Sequence, residues 1–114
     1  MSDCLFCSIV AGDIPADVVL DRGDVLAFRD INPQAPTHIL IIPKTHVRDI
    51  SSLDASGGPM LAELIVAAND LARSEGIAVS GYRVVANVGP DAGQTVFHLH
   101  VHLLGGRPMA WPPG

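Results

Sequence analysis

Three of the five histidines in this chain fall within one run of five residues, His98, His100 and His102 of "HLHVH". In an extended segment alternate residues share a face, so the three imidazoles line up while Leu99, Val101 and Leu103 turn toward a core. At ~3.3 Å of rise per residue, neighbours in that row have Cα atoms ~7 Å apart and the outer pair ~13 Å, too far to share one ion without a bulge. A neutral imidazole, with an ordinary pKa of ~6.5, is a good nucleophile or base near pH 7. The row therefore reads as one attacking histidine with neighbours that orient it and neutralise charge. The plainer alternative is a set of solvent-facing strand residues or a casual metal-binding row.

A second pair with chemical potential is Cys4 and Cys7 of "CLFC", the only cysteines in the chain. Two cysteines supply no disulfide framework, and the CxxC spacing fits a metal or redox pair. A thioredoxin-like redox role calls for a preceding strand in a βαβ unit, and none precedes Cys4. Two independent buried thiols are one alternative, and half of a tetrahedral zinc set completed by distant histidines is the other.

These residues need elements to position them. Residues 4–11 read as a short helix, and "VVLDRGDVLAFRD" as a hairpin of strands at 18–21 and 24–29 around an Arg22-Gly23 turn. Prolines 33 and 36 make "INPQAPTH" a stiff loop, which delivers His38 to the start of a buried strand, "HILIIP", stopped by Pro43. Met60, Leu61, Leu64, Ile65, Ala68, Leu71 and Ala72 recur at helical spacing, with Pro59 suited to the first turn and Gly76 to the C-terminal cap. "YRVVAN" and "FHLHVHLL" read as strands, joined by "VGPDAGQTV", whose glycines and proline could turn N–H groups toward a ligand. Strands, one long helix, then strands again predict an α+β fold with an antiparallel sheet.

The 114 residues suit one domain, spanning 1–114, and 48% hydrophobic against 17% charged residues is a globular composition. Seven Lys and Arg against twelve Asp and Glu give a net charge of −5, which disfavours a nucleic-acid backbone or an anionic membrane as partner. The acidic start and the short "ILII" run resemble neither a signal peptide nor a membrane span, so a cytoplasmic location is expected.

"HLHVHLL" resembles the His-φ-His-φ-His-φ-φ motif, with φ apolar, of the histidine triad family of nucleotide hydrolases and transferases. "FRDINPQAPTHILIIPKTH" is similar to the family's first half, and "GGRPMAWPPG" to the ending of its Hint branch, the purine nucleoside phosphoramidases. The resemblance implies a histidine triad (HIT)-like fold: a five-stranded antiparallel sheet with one long helix and a short N-terminal helix, the sheets of two copies joined in a homodimer. It implies that His100 attacks the α-phosphorus of a nucleotide, that His102 contacts the phosphate, and that His38 and His98 support the nucleophile from behind. Asn87, Gln94 and Thr95 match polar positions around the phosphate and departing group, Thr95 standing where the branch often carries Ser.

By the same resemblance Asp30 takes the ribose hydroxyls, and Phe6, Ile9, Ile14, Phe28, Ile31 and Leu40 form an apolar slot for the base. Each of these also has an ordinary reading, as a strand-end acid or as core. Arg29 stands where the branch commonly carries His. Some bacterial members pair an N-terminal CxxC with the His of "PKTH" and the first His of the triad around a structural zinc, which here would be Cys4, Cys7, His46 and His98. Trp111 sits on a stiff tail that in the branch reaches the partner's site, although it could equally plug its own core.

Together these features predict a homodimeric hydrolase of purine nucleoside 5′-phosphoramidates, with zinc in a structural role and no catalytic cofactor. Alternatives are a dinucleoside polyphosphate hydrolase or nucleotidyl transferase of the same family, a nucleotide-binding regulatory protein, and a zinc-binding structural protein.

Overall fold

In the computed structural model, which describes residues 3–114, the chain builds a five-stranded antiparallel sheet in the order β1-β2-β3-β5-β4. The short helix α1 (Leu5–Val10) leads into the hairpin of β1 (Val18–Arg22) and β2 (Val25–Arg29). The turn falls at Gly23 and Asp24, one residue later than expected, because Arg22 still pairs with Val25. Strand β3 (Thr37–Pro43) follows, then two single 3₁₀ turns and the long helix α2 (Gly58–Ser74). Strands β4 (Tyr82–Val85) and β5 (Val101–Gly105) complete the sheet, with β5 between β3 and β4.

Every residue of the central strand β3 is buried, and its alternation divides the molecule into layers. Ile39 and Ile41 join Val25, Ala27, Val101 and Leu103 beneath α2, which contributes Leu64, Ala67, Ala68, Leu71 and Ala72. Burying a side chain such as Leu64 stabilises the fold by about 1.5–3 kcal/mol. Leu40 and Ile42 face the other way and meet Leu26, Phe28 and Phe6 of α1. His38 and His102 share the parity of Leu40, so they emerge on the α1 side of the sheet. Ile65, read from the sequence as part of the core stripe, lies instead on the open side of α2 beside Val66.

The helix ends as predicted in kind: Glu75 closes α2 and Gly76 takes a left-handed φ of 76° that reverses the chain. The last strand is shorter than "FHLHVHLL" suggests. Its pairing with β3 stops at Ile41–Val101; two positions further in the same register Leu99 would face Pro43, which has no N–H to give. Strand β4 likewise ends at Val85 rather than Asn87. Residues 97–100 thus run past the end of the sheet, and the N–H of Leu99 bonds to the carbonyl of Val47, 2.6 Å away. His98 and His100 lie in this irregular segment, and only His102 lies in the strand.

Candidate active site

The departure from the ladder decides what the three histidines face. His98 is completely buried, and its Nε2–H donates to the Pro43 carbonyl at 2.7 Å. A carbonyl can only accept, so this bond fixes the tautomer and leaves the Nδ1 lone pair on the opposite side of the ring. Two residues on, Nδ1–H of His100 donates at 2.7 Å to the backbone carbonyl of His98. By the same logic Nε2 of His100 carries the lone pair. His98 therefore supports His100 through its main chain, while its imidazole serves a different site.

His102 is oriented from another direction. The N–H of Gln34 occupies Nδ1 of His38 at 3.0 Å, so Nε2 of His38 carries the proton and donates it to Nδ1 of His102 at 2.9 Å. Nε2–H of His102 is then a fixed donor. Burial, reinforced by the neighbouring His100 and His38, pushes His102 down to about 4, so at pH 7 it donates as a neutral imidazole. Burial lowers His38 as well, against a smaller opposing pull from Asp30. His38 thus hydrogen-bonds to His102 and not to His100.

His100 and His102 close one end of a cleft of about 380 Å³. Phe6, Ile9, Ile14, Phe28, Ile31 and Leu40 all line it, as do Asp30 and Thr95. Phe6, Phe28 and Leu40 are also core residues, whereas Ile31 is fully exposed. The ring of Phe6 stands edge-on to His100 at 5.1 Å between centroids, which fixes the imidazole from the α1 side. Asp30 is held by the N–H of Asn32 at 2.8 Å and lies 3.5 Å from Nε2 of His38.

Other candidates fall elsewhere. Gln94 is buried with its amide committed to the loop: its oxygen accepts from Gly89 N–H at 2.8 Å, and its nitrogen donates to the Arg48 and Val96 carbonyls at 3.2 Å. The N–H groups of Gly89, Gly93 and Gln94 are bonded inside the same loop, so they do not form the ligand cradle its glycines suggested. Asn87 is half-buried just past β4 and does not line the cleft. Trp111 is 83% exposed on a tail that Arg83 ties down through the carbonyl of Ala110. It fills no core of its own chain.

In the sequence Arg29 stands out only as a departure from the branch. It lines the cleft with its guanidinium held by both carboxylate oxygens of Glu75, at 2.6 and 3.0 Å, and this pairing holds the Glu75 carboxyl below its usual range. Nothing in the local spacing could have found Glu75, which lies 46 residues away.

Among the described residues two clusters have the donor types a metal uses. In the first, Cys4 Sγ, Cys7 Sγ and His46 Nδ1 approach Nδ1 of His98 at 3.3, 3.5 and 3.1 Å, and Cys7 Sγ lies 3.4 Å from His46 Nδ1. One lone pair cannot satisfy three converging neighbours by hydrogen bonds, whereas a cation at their centre satisfies all four. Zinc at ~2.0–2.1 Å from nitrogen and ~2.3 Å from sulfur sets tetrahedral edges of ~3.3–3.8 Å, close to these spacings. The Pro43 carbonyl supplies the outer bond that metal-bound imidazoles ordinarily make. Half-exposed, converging sulfurs do not fit the alternative of independent buried thiols.

In the second cluster, Asp30, His38 and His102, the outer shell points the other way. The N–H of Gln34 takes the lone pair of His38 and leaves a proton, not a lone pair, facing the group. That arrangement suits a hydrogen-bond relay. It does not suit an ion.

The HIT domain family matches residues 11–109 of the chain. A 14 kDa zinc-binding protein of Zea mays is 50% identical over 115 residues, covering 99% of this chain and 89% of that protein. Adenylylsulfatase HINT1 of Arabidopsis thaliana is 47% identical over 117 residues, covering 99% of this chain and 78% of that one. The crystal structure of a HIT family hydrolase from Legionella pneumophila Philadelphia 1 superposes with a TM-score of 0.96 at 53% identity, covering 98% of this chain and all of that one.

Proposed function

Since the chain belongs to the HIT domain family, we propose that it is a nucleotide hydrolase cleaving purine nucleoside 5′-phosphoramidates, such as adenosine 5′-phosphoramidate, through a covalent nucleotidyl-histidine. The observation that carries this reading is the fixed tautomer of His100. Its Nδ1–H is spent on the His98 carbonyl, and its Nε2 lone pair stands at the cleft that Asp30 and the apolar set share.

In this reading the base lies between Phe6, Ile9, Ile14, Phe28, Ile31 and Leu40, and Asp30 accepts from the ribose hydroxyls. Nε2 of His100 attacks the α-phosphorus, the bond to the amine breaks, and the amine leaves with a proton taken from solvent. The imidazole becomes cationic on attack, and the His98 carbonyl at Nδ1–H stabilises that charge. Nε2–H of His102 meets a phosphate oxygen, and the Thr95 hydroxyl at the cleft rim meets the phosphate or departing group. Water then attacks phosphorus and releases the nucleotide and free His100. Gln94 acts by holding the loop that presents Thr95, and Asn87 lies outside this immediate set.

Cys4, Cys7, His46 and His98 would hold a structural zinc, whose contribution is to cross-link α1 to the segment carrying His100; no step of the reaction uses it. The open edge of β4, the exposed Ile65 and Val66 on α2 and the exposed Trp111 support a homodimer in which this tail reaches the partner's site. We assign the whole of residues 1–114 to one domain. Among the described residues no helix is long and apolar enough to cross a membrane.

The name of the Arabidopsis relative favours a second reading, cleavage of adenylyl sulfate at the same phosphorus with sulfate leaving. One assay compares both substrates on the wild type and a His100→Ala variant. Hydrolysis of the phosphoramidate by the wild type, falling roughly ten-thousand-fold in the variant, is expected. An inactive wild type, or a variant that keeps full rate, contradicts the mechanism.

A further inference from the structure

We propose that Cys4 and Cys7 are a modification site, an oxidisable dithiol that a hydroperoxide converts to a disulfide with release of the metal held by the four-residue cluster. This rests on the metal reading of that cluster and not on the hydrolase reading.

Three observations carry the proposal. The first is access. A groove of about 710 Å³ opens onto the cluster, lined by both cysteines with Asp3, Leu5, His46 and Phe97. His46 is exposed and both sulfur-bearing residues are only half-buried, so a small oxidant can reach the ligands. The second is proximity. Cys4 caps α1 and Cys7 lies in its first turn, with Cys7 N–H donating to Cys4 Sγ at 3.3 Å. All four donor atoms lie within 4.8 Å of one another, so rotation about the two Cα–Cβ bonds can bring the sulfurs to disulfide distance without unfolding the helix.

The third is the role each sulfur has when reduced. Both point at Nδ1 of His98, so joining them removes two of the four ligands at once and leaves two imidazoles, too few to retain the ion. One thiolate attacks the distal oxygen of the hydroperoxide, giving a sulfenic acid and an alcohol. The second thiolate attacks that sulfur and displaces water once a proton is supplied. In sum, two thiolates, one hydroperoxide and two protons give one disulfide, one alcohol, one water and a freed divalent ion. The two electrons lost by the sulfur pair are those that reduce the O–O bond.

The consequence reaches the cleft through residues already placed. Phe6 lies between the two cysteines on α1, and its ring packs against both His98 and His100, at 5.9 and 5.1 Å. Oxidation would therefore disturb the brace of His100 as well as free the ring of His98.

The test uses the full zinc-loaded chain and hydrogen peroxide, with a chromogenic chelator reporting free zinc and intact-mass spectrometry after alkylation of remaining thiols. The expected result is release of about one equivalent of zinc together with loss of about 2 Da and no alkylation, both reversed by a dithiol reductant plus zinc. Three results would overturn it: zinc retained under peroxide, oxidation to sulfinic acid on one cysteine without a bridge, or a chain that never binds zinc. A Cys7→Ser variant should show no 2 Da loss. Neither readout involves a nucleotide, so failure of the hydrolase reading leaves this test untouched.

Discussion

At the scale of single residues, the site is a matter of which nitrogen holds a proton. His98, His100 and His102 are chemically identical, and three different outer bonds give them three different faces: a carbonyl at Nε2, a carbonyl at Nδ1, and a histidine N–H at Nδ1. This ordering has a pH signature. His102 sits at about 4 in the folded protein against ~6.5 in the unfolded chain. Between those values the unfolded state binds more protons, so stability rises with pH; it is complete above ~6.5 and is lost as pH falls toward 4. His38, lowered in the same direction, adds to the effect. Urea midpoints measured from pH 7.5 to 4.5 should therefore fall on acidification, and a His102→Gln variant should show a shallower fall. An equal slope in both proteins would mean that His102 is not held neutral by the fold.

At the scale of elements, α2 is legible from its helical period and the hairpin and β3 from apolar runs bounded by turn residues, "HILIIP" announcing its own end at Pro43. That same proline explains what was not legible. The sequence "FHLHVHLL" alternates throughout, but whether it pairs depends on the strand beside it, 55 residues earlier at Pro43, and no local pattern carries that information. That these residues form a slot for a base is expected only through the family resemblance, since nothing in the spacing of Phe6, Phe28 and Leu40 separates a slot from a core. Gln94 shows the reverse, a polar residue in a ligand-like loop whose bonds all turn inward.

The loop carrying Asp30 and His38 is braced by the residues just after β5. Gly106 has a φ of 90°, and a Cβ there would meet Pro36 Cβ at 2.9 Å, while Arg107 Nε donates to the Gln34 carbonyl at 3.0 Å. A Gly106→Ala substitution should destabilise the protein by about 1–3 kcal/mol through strain and overpacking together. Denaturant unfolding monitored by circular dichroism measures it, and an unchanged midpoint would show that the loop is not braced there.

At the scale of the whole molecule, two centres share one short segment: a Cys/His cluster that brings α1 to residue 98 and a cleft lined by residue 100. Metal removal should therefore act on both. Dialysis against a strong chelator is expected to lower the melting temperature by several degrees and reduce hydrolysis, with zinc restoring both. A melting temperature indifferent to chelation and to Cys4→Ser would count against the cluster as a structural site. The proposed covalent role of His100 can be read by mass spectrometry of the protein quenched with acid-sparing denaturant within milliseconds of mixing with adenosine 5′-phosphoramidate. The expected result is a chain heavier by one adenylyl group, localised to the peptide containing His100 and absent from His100→Ala. Turnover by the wild type with no such adduct, or an adduct that persists in the variant, would contradict it.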